Sequence, residues 1–187
     1  EETSPVNNHP YGLSKFLGEK LIESNLCNSN TKYLILRLSN IIATPIIEET
    51  DCWHLLPQSI CASIFKNKTI ILNSNPNYRR DFVGISQLNH FIQYFLVNNK
   101  SFKSGIYNFA SNKMTSIYDL ALRFAYLNYE LYGYNAEIKF NKKNLKKITN
   151  TFNYSNAKIK AQGFYINKNI DQEIESLLRY KNEFTRK

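Results

Sequence analysis

Apolar residues recur at helical spacing near the start of the chain. Leu13, Phe16, Leu17 and Leu21 fall on one stripe and predict a helix over residues 11–24. His9-Pro10 precedes it, and proline suits the first helical position. After a polar loop at 25–31 comes Tyr33 to Leu38 (YLILRL), a nearly continuous apolar run. Such a run is expected of a strand buried on both faces of a parallel sheet, and a helix leading into it is half of a βαβ arrangement. Residues 40–52, with Pro45, read as irregular. A helix is expected over 53–65, a strand over 69–72, a turn over 73–78 and a strand over 81–85. Ser86 is placed to cap a helix carrying Leu88, Phe91, Ile92, Phe95 and Leu96. Another strand is expected at Gly105 to Ala110 (GIYNFA). Ser116-x-x-Asp119 has the form of a capping box opening a helix to about Tyr129, and a last helix spans Ile170 to Tyr180. Internal repeats and low-complexity linkers are absent from the sequence.

Composition narrows the picture. At 187 residues, 43% hydrophobic and 21% charged, the chain is long enough for one domain with a real core. No stretch approaches a bilayer span, and the N-terminus does not read as a signal peptide. The opening Glu1-Glu2-Thr3, without Met, is expected of a fragment, a processed product or a trimmed chain. Cys27, Cys52 and Cys61 lack CxxC spacing and are odd in number, which argues for a reducing cytoplasm over a disulfide framework. His9, His54 and His90 are scattered, so no metal site is expected. The net charge of +9 fits an anionic partner or simply solvated lysines. Its densest cluster, Lys139 to Lys147, has few interleaved aromatics and reads as a charged loop or helix face. Nucleic acid is therefore not the expected partner.

The residues with chemical content are Tyr11 and Lys15. Four apart on a helix, they share a face one turn from each other. A free phenol titrates near ~10 and is a poor base at neutral pH; a neighbouring ammonium favours the phenolate. Bringing a phenol down by about three units takes roughly 4 kcal/mol of differential stabilisation. A cation in a partly dry cleft supplies much of this, and an oxidised nicotinamide would add positive charge.

In context the pair gains specificity. PYGLSKFLGEKL resembles the active-site helix of the extended short-chain dehydrogenases/reductases, the NAD(P)-dependent sugar-nucleotide epimerase/dehydratase family, whose pattern is YG-x-SK-x-x-x-E. Tyr11, Gly12, Ser14, Lys15 and Glu19 match it. Leu36-Arg37-Leu38-Ser39-Asn40 resembles the family's LR-x-x-N strand, Arg80-Asp81-Phe82-Val83 its RDF-V element, and Tyr107-Asn108-Phe109 with Thr115-Ser116-x-x-Asp119-Leu120-Ala121 its later strand and helix. Gly163-Phe164 leading into a last helix resembles its C-terminal end. Five elements in order cover nearly the whole chain.

The resemblance implies an α/β fold: the C-terminal part of a doubly wound, Rossmann-like parallel sheet with a smaller substrate-binding lobe. Residues 1–44 and 81–111 would be the remnant of the Rossmann-like domain, and 45–80 and 112–187 the lobe. It implies that Tyr11 is the acid/base and that Lys15 tunes it while holding the nicotinamide ribose of NAD or NADP. Asn40 would meet the sugar nucleotide, and Arg80 would take its diphosphate, with Arg79 as the alternative. Trp53 and Leu56 would lie among substrate contacts, or equally in the core. Net epimerisation, dehydration, decarboxylation or reduction all share the opening hydride transfer. The partners expected are a sugar-nucleotide substrate, a missing N-terminal half of the same protein, and a second copy in a homodimer. The alternative reading is a non-catalytic nucleotide- or RNA-binding protein on the same fold.

Departures accompany the matches. The family's N-x-x-GP reads Asn40-Ile-Ile-Ala43-Thr-Pro45, and the Asp that usually follows RDF-V-x-V is replaced by Ser86-Gln87. Among six glycines there is no GxxGxxG phosphate loop. The Ser/Thr that completes the family's catalytic set has no clear counterpart, Thr3 and Ser4 being too close to Tyr11. The 187 residues alone are therefore expected to be inactive and to expose an apolar sheet edge along Tyr33 to Leu38.

Overall fold

The structure, a computed structural model, describes residues 9–47, 49–100, 102–145 and 153–185. Helix α1 (Pro10–Leu26) starts where expected: the His9 ring accepts from the Tyr11 N–H at 3.3 Å, and Pro10 opens the first turn. It leads to β1 (Leu34–Leu38), which pairs parallel with β5 (Gly105–Phe109), Leu36 opposite Tyr107. Buried on both faces β1 is not: Ile35 is buried, but Leu38 is 44% exposed. Among the described residues β5 is the only strand paired with it. The other edge of β1 has no strand partner among the described residues.

Three more corrections concern boundaries. Asn40–Ile42 is a strand, β2, where irregular chain was expected; it pairs parallel with β4 (Arg79–Gly84), Asn40 opposite Phe82. Helix α2 spans Leu56–Asn67 rather than 53–65. Pro57 sits in its first turn, and a proline ring clashes with the carbonyl four residues back, here that of Trp53, so the helix cannot begin earlier. Helix α3 (Ile85–Val97) follows β4 without a loop. Its N-cap is Gly84, which brings no side chain, and Ser86 lies inside the first turn.

The remaining elements are β3 (Thr69–Leu72), β6 (Met114–Ser116), α4 (Ile117–Tyr132), β7 (Glu137–Phe140), α5 (Ala157–Ala161) and α6 (Asp171–Thr185). Ser116 caps α4 as expected, its hydroxyl accepting from the Asp119 N–H at 2.9 Å. Strand β7 pairs parallel with β3, and β6 antiparallel with β4. Lys139, expected in a charged loop or helix face, lies in β7, and a single 3-10 turn follows at Lys142–Asn144. Lys146 and Lys147 lie outside the described residues, as do Thr3 and Ser4.

Two apolar cores result. One gathers α2, α4 and α6 over β3 and β7, with Ile64, Ile70, Leu120, Phe124 and Leu177 fully buried. The other packs α3 against β4 and β5 through Phe91, Val83 and Phe109. Ile159 and Ile166, late in the chain, return to this second core. Helix α1 has no buried residue, and Leu13, Leu17 and Leu21 are all exposed.

Candidate functional site

Tyr11 and Lys15 lie in the first turns of α1, and the Lys15 ammonium sits 5.3 Å from the centre of the Tyr11 ring. This is a cation–π contact of the kind the i, i+4 spacing allows. Tyr11 is 68% exposed, so its hydroxyl is open to a ligand. Ser14, between them, donates to the Tyr11 carbonyl at 2.8 Å and is spent on the helix backbone.

What anchors this helix is polar. Glu19, one turn beyond Lys15, accepts from Arg37 through both oxygens, Nε to Oε1 at 2.9 Å and Nη2 to Oε2 at 2.8 Å. The side chains are 20% and 12% exposed. The hydrogen bonds to Glu19, outweighing partial burial, hold the Arg37 guanidinium above its ordinary pKa. The Arg37 carbonyl in turn accepts from the Tyr154 hydroxyl at 3.0 Å. Glu19 and Arg37 were legible as motif letters; only the fold reveals that they are one bidentate pair fixing α1 to β1.

Arg37 lies three residues before Asn40, and the chain passes straight from β1 to β2. There Asn40 donates its amide to the Asp81 carbonyl at 3.0 Å. Asn40 and Arg80 line one small cavity of about 200 Å3 together with Ser39 and Tyr154. Arg80 is exposed, and its guanidinium is available to an anion. Arg79, the neighbouring alternative, is not in this lining. The structure thus brings Asn40 and Arg80 together across adjacent strands.

Below them lies a residue whose importance the sequence did not signal. Asp81 is 2% exposed, and its carboxylate accepts from the Ser111 N–H (2.8 Å), the Ser111 hydroxyl (3.0 Å) and the Lys113 N–H (3.1 Å). It ties the β5–β6 turn to β4 and so fixes the strand that carries Arg80. Its partners lie some thirty residues downstream, a separation no local pattern encodes.

Trp53 and Leu56 sit elsewhere. Both pack at the edge of the first core, Trp53 stacked on Tyr180 with centroids 6.4 Å apart and under the Lys181 ammonium at 4.2 Å. Neither lines the Asn40–Arg80 cavity. Among the described residues no group of three or more His, Cys, Asp or Glu is placed to hold a metal ion. No described helix is long and apolar enough to cross a membrane.

Comparison with known proteins adds the following. Residues 1–91 match the NAD-binding family model described as male sterility protein. Among curated protein sequences none matches this chain. Solved structures match over nearly all of it. RMD from Pseudomonas aeruginosa, complexed with NADPH, superposes with a TM-score of 0.78 at 18% identity over 98% of this chain and 60% of that one. A UDP-N-acetylglucosamine 4-epimerase from Methanobrevibacter ruminantium, in complex with UDP-N-acetylmuramic acid, gives 0.76 at 13% identity over 98% and 57%. UDP-glucuronic acid 4-epimerase from Bacillus cereus, with UDP-glucuronic acid and NAD, gives 0.75 at 17% over 98% and 56%. At these identities the likeness is one of fold. The chain spans about three-fifths of the length of the structures it matches.

Proposed function

We propose that this chain, whose fold is that of the extended short-chain dehydrogenases/reductases, supplies the acid/base helix and the substrate side of an NAD(P)-dependent sugar-nucleotide epimerase/dehydratase-type oxidoreductase. One connected arrangement carries the reading. The Glu19–Arg37 pair holds the helix bearing Tyr11 and Lys15 against the strand that leads to Asn40, and Asn40 shares a cavity with Arg80.

In this reading Tyr11, held as a phenolate by the Lys15 ammonium, takes the proton from a sugar hydroxyl and, now a phenol, later returns it. Arg80 presents a planar fork to diphosphate oxygens, a geometry a point-charge ammonium does not offer. Asn40, with its amide already on the Asp81 carbonyl, keeps a side-chain oxygen to accept from the ligand. Residues 1–44 and 81–111 would form the Rossmann-like part and 45–80 and 112–187 the substrate lobe. In that case the segment 153–166, with α5, folds back onto the Rossmann-like core through Ile159 and Ile166. As for the nicotinamide cofactor, the exposed Lys15 ammonium and Tyr11 hydroxyl suit ribose hydroxyls, but these 187 residues hold no glycine-rich turn for its pyrophosphate. A bound nicotinamide would supply a reversible hydride acceptor beside the sugar carbon, while Tyr11 and Lys15 handle the hydroxyl proton.

The test has two arms. Calorimetry of the 187-residue chain is expected to give no useful affinity for NAD or NADP; micromolar binding would show the division of labour to be wrong. In the chain joined to a glycine-rich dinucleotide-binding segment, Tyr11→Phe should lower turnover of a UDP-sugar by about two to four orders of magnitude. Turnover near that of the unmodified protein would rule out the assignment of Tyr11.

A further inference from the structure

A second cavity, of about 550 Å3, lies between β6, α4 and the turn entering α6, and it shares no lining residue with the Asn40–Arg80 cavity. Its volume falls within the range of small-molecule sites. Phe82 and Leu120, both buried, give it an apolar floor. On one wall Arg123 is already committed, its Nε 2.6 Å and its Nη2 2.5 Å from the two Asp171 oxygens. That pair leaves the wall neutral and ties α4 to the start of α6.

Three other charged groups line the cavity, and their state is different. The ammonium groups of Lys113 and Lys168 have no hydrogen-bond or ion-pair partner among the described residues, and neither has the Asp119 carboxylate. Both lysines stand on fixed backbone. Lys113 follows Asn112, held at φ 58°, and its N–H is bonded to the buried Asp81 carboxylate. Lys168 precedes Asn169, whose side-chain oxygen accepts from the Asp171 N–H at 2.9 Å as α6 begins. Two cations free of direct hydrogen bonds stand on rigid turns, Lys113 near enough to Asp171 to help hold its carboxyl down, and together they form a pre-organised seat for an oxyanion. One carboxylate and the Thr115 hydroxyl across an apolar floor suit a body with hydroxyl donors and a C–H face.

We propose that this cleft binds a small phosphate monoester carrying hydroxyls, with the phosphate on Lys113 and Lys168 and the hydroxyls toward Asp119. This chemistry is shared by sugar phosphates and by the ribose phosphate end of nucleotides. The inference is independent of the reaction proposed for Tyr11.

The experiment is titration of the 187-residue chain with ribose 5-phosphate, AMP and inorganic phosphate, followed by calorimetry and amide chemical shifts. Saturable binding of ribose 5-phosphate or AMP is expected, and whichever binds more tightly identifies the source of the monoester. The Lys113→Ala/Lys168→Ala double variant should weaken binding at least about tenfold. Asp119→Asn should weaken ribose 5-phosphate while leaving inorganic phosphate unchanged. Arg80→Ala should leave the affinity for ribose 5-phosphate at this cleft unchanged, which separates it from the Asn40–Arg80 cavity. All four positions are exposed, so the variants should fold, as amide spectra will show. The proposal is overturned by absence of saturation below about 10 mM, by equal affinity for inorganic phosphate, or by loss through Arg80→Ala in place of the lysine pair.

Discussion

Consider Arg37→Met, which removes the guanidinium and keeps the aliphatic length. Helix α1 buries no residue, so its attachment to β1 depends unusually heavily on the two bonds to Glu19. Charge-assisted hydrogen bonds contribute ~1.5–3 kcal/mol each when one partner is removed. Here the carboxylate left behind is only 12% exposed, and water only partly recovers it. A net loss of about 2 kcal/mol in the docking of α1 is the reasonable middle, or about a thirtyfold shift in its opening equilibrium. Helices in proteins draw most of their stability from tertiary contacts, so undocking and unwinding should occur together. Hydrogen exchange reads this directly: amides of residues 14–26 should exchange about thirtyfold faster, while those of α4, seated on the other core, stay as they were. Glu19→Gln should cost nearly as much, and the double variant little more than either alone, since neighbours in one pair are non-additive. Unchanged exchange in α1, or additive effects in the cycle, would refute the view that this pair is what holds the helix bearing Tyr11 and Lys15 in place.

Other outcomes follow from the same geometry. If the proposed diphosphate contact holds, Arg80→Ala should weaken sugar-nucleotide binding by roughly 1.5–3 kcal/mol in calorimetry of the chain joined to a dinucleotide-binding segment, with cofactor affinity nearly unchanged. A loss through Arg79→Ala instead would move the diphosphate contact by one residue. Asp81→Ala leaves the buried Ser111 N–H unpaired, while the Ser111 hydroxyl still donates to the Lys113 carbonyl and accepts from the Lys113 N–H. It should lower stability by about 1–3 kcal/mol in urea, whereas Ser111→Ala, which spares both backbone bonds, should cost about 1 kcal/mol. Gly84→Ala should destabilise by about 1–3 kcal/mol, because the Glu173 carboxylate, which accepts from Ser86, occupies the space its methyl would need. Glu173→Ala in the same chain should recover part of that loss. Finally, the hydrogen bonds from Arg123 hold the Asp171 carboxyl below its ordinary value of 3.8. A carboxylate depressed on folding contributes stability above its unfolded pKa and loses it as pH falls through the folded one. Urea midpoints should therefore drop more steeply below about pH 4 in the parent than in Arg123→Met.

The sequence by itself determined the helices and most strands, because hydrophobic period, prolines and a Ser116 cap are local signals. It determined the Tyr11/Lys15 pairing for the same reason, since four residues on a helix fix a shared face. It also placed Asn40 and Arg80 in ordered motifs, though not in one cavity; that juxtaposition needed β2 and β4 to pair, and β2 was read as irregular because three residues carry almost no period. The start of α3 shows the limit most plainly. Ser86 has the chemistry of a cap, but β4 runs into the helix without a turn, so Gly84 takes the cap position and Ser86 bonds Glu173 on α6. Whether an apolar residue is core or surface was likewise undecided by pattern. Trp53 packs on Tyr180, while the stripe on α1 stays open, because burial depends on which distant element arrives opposite. The Glu19–Arg37 clamp, the Asp81 hub and the Arg123–Asp171 bridge all join residues far apart in the chain. Their energies come from desolvated charge meeting its complement, and only the tertiary fold brings those complements into reach.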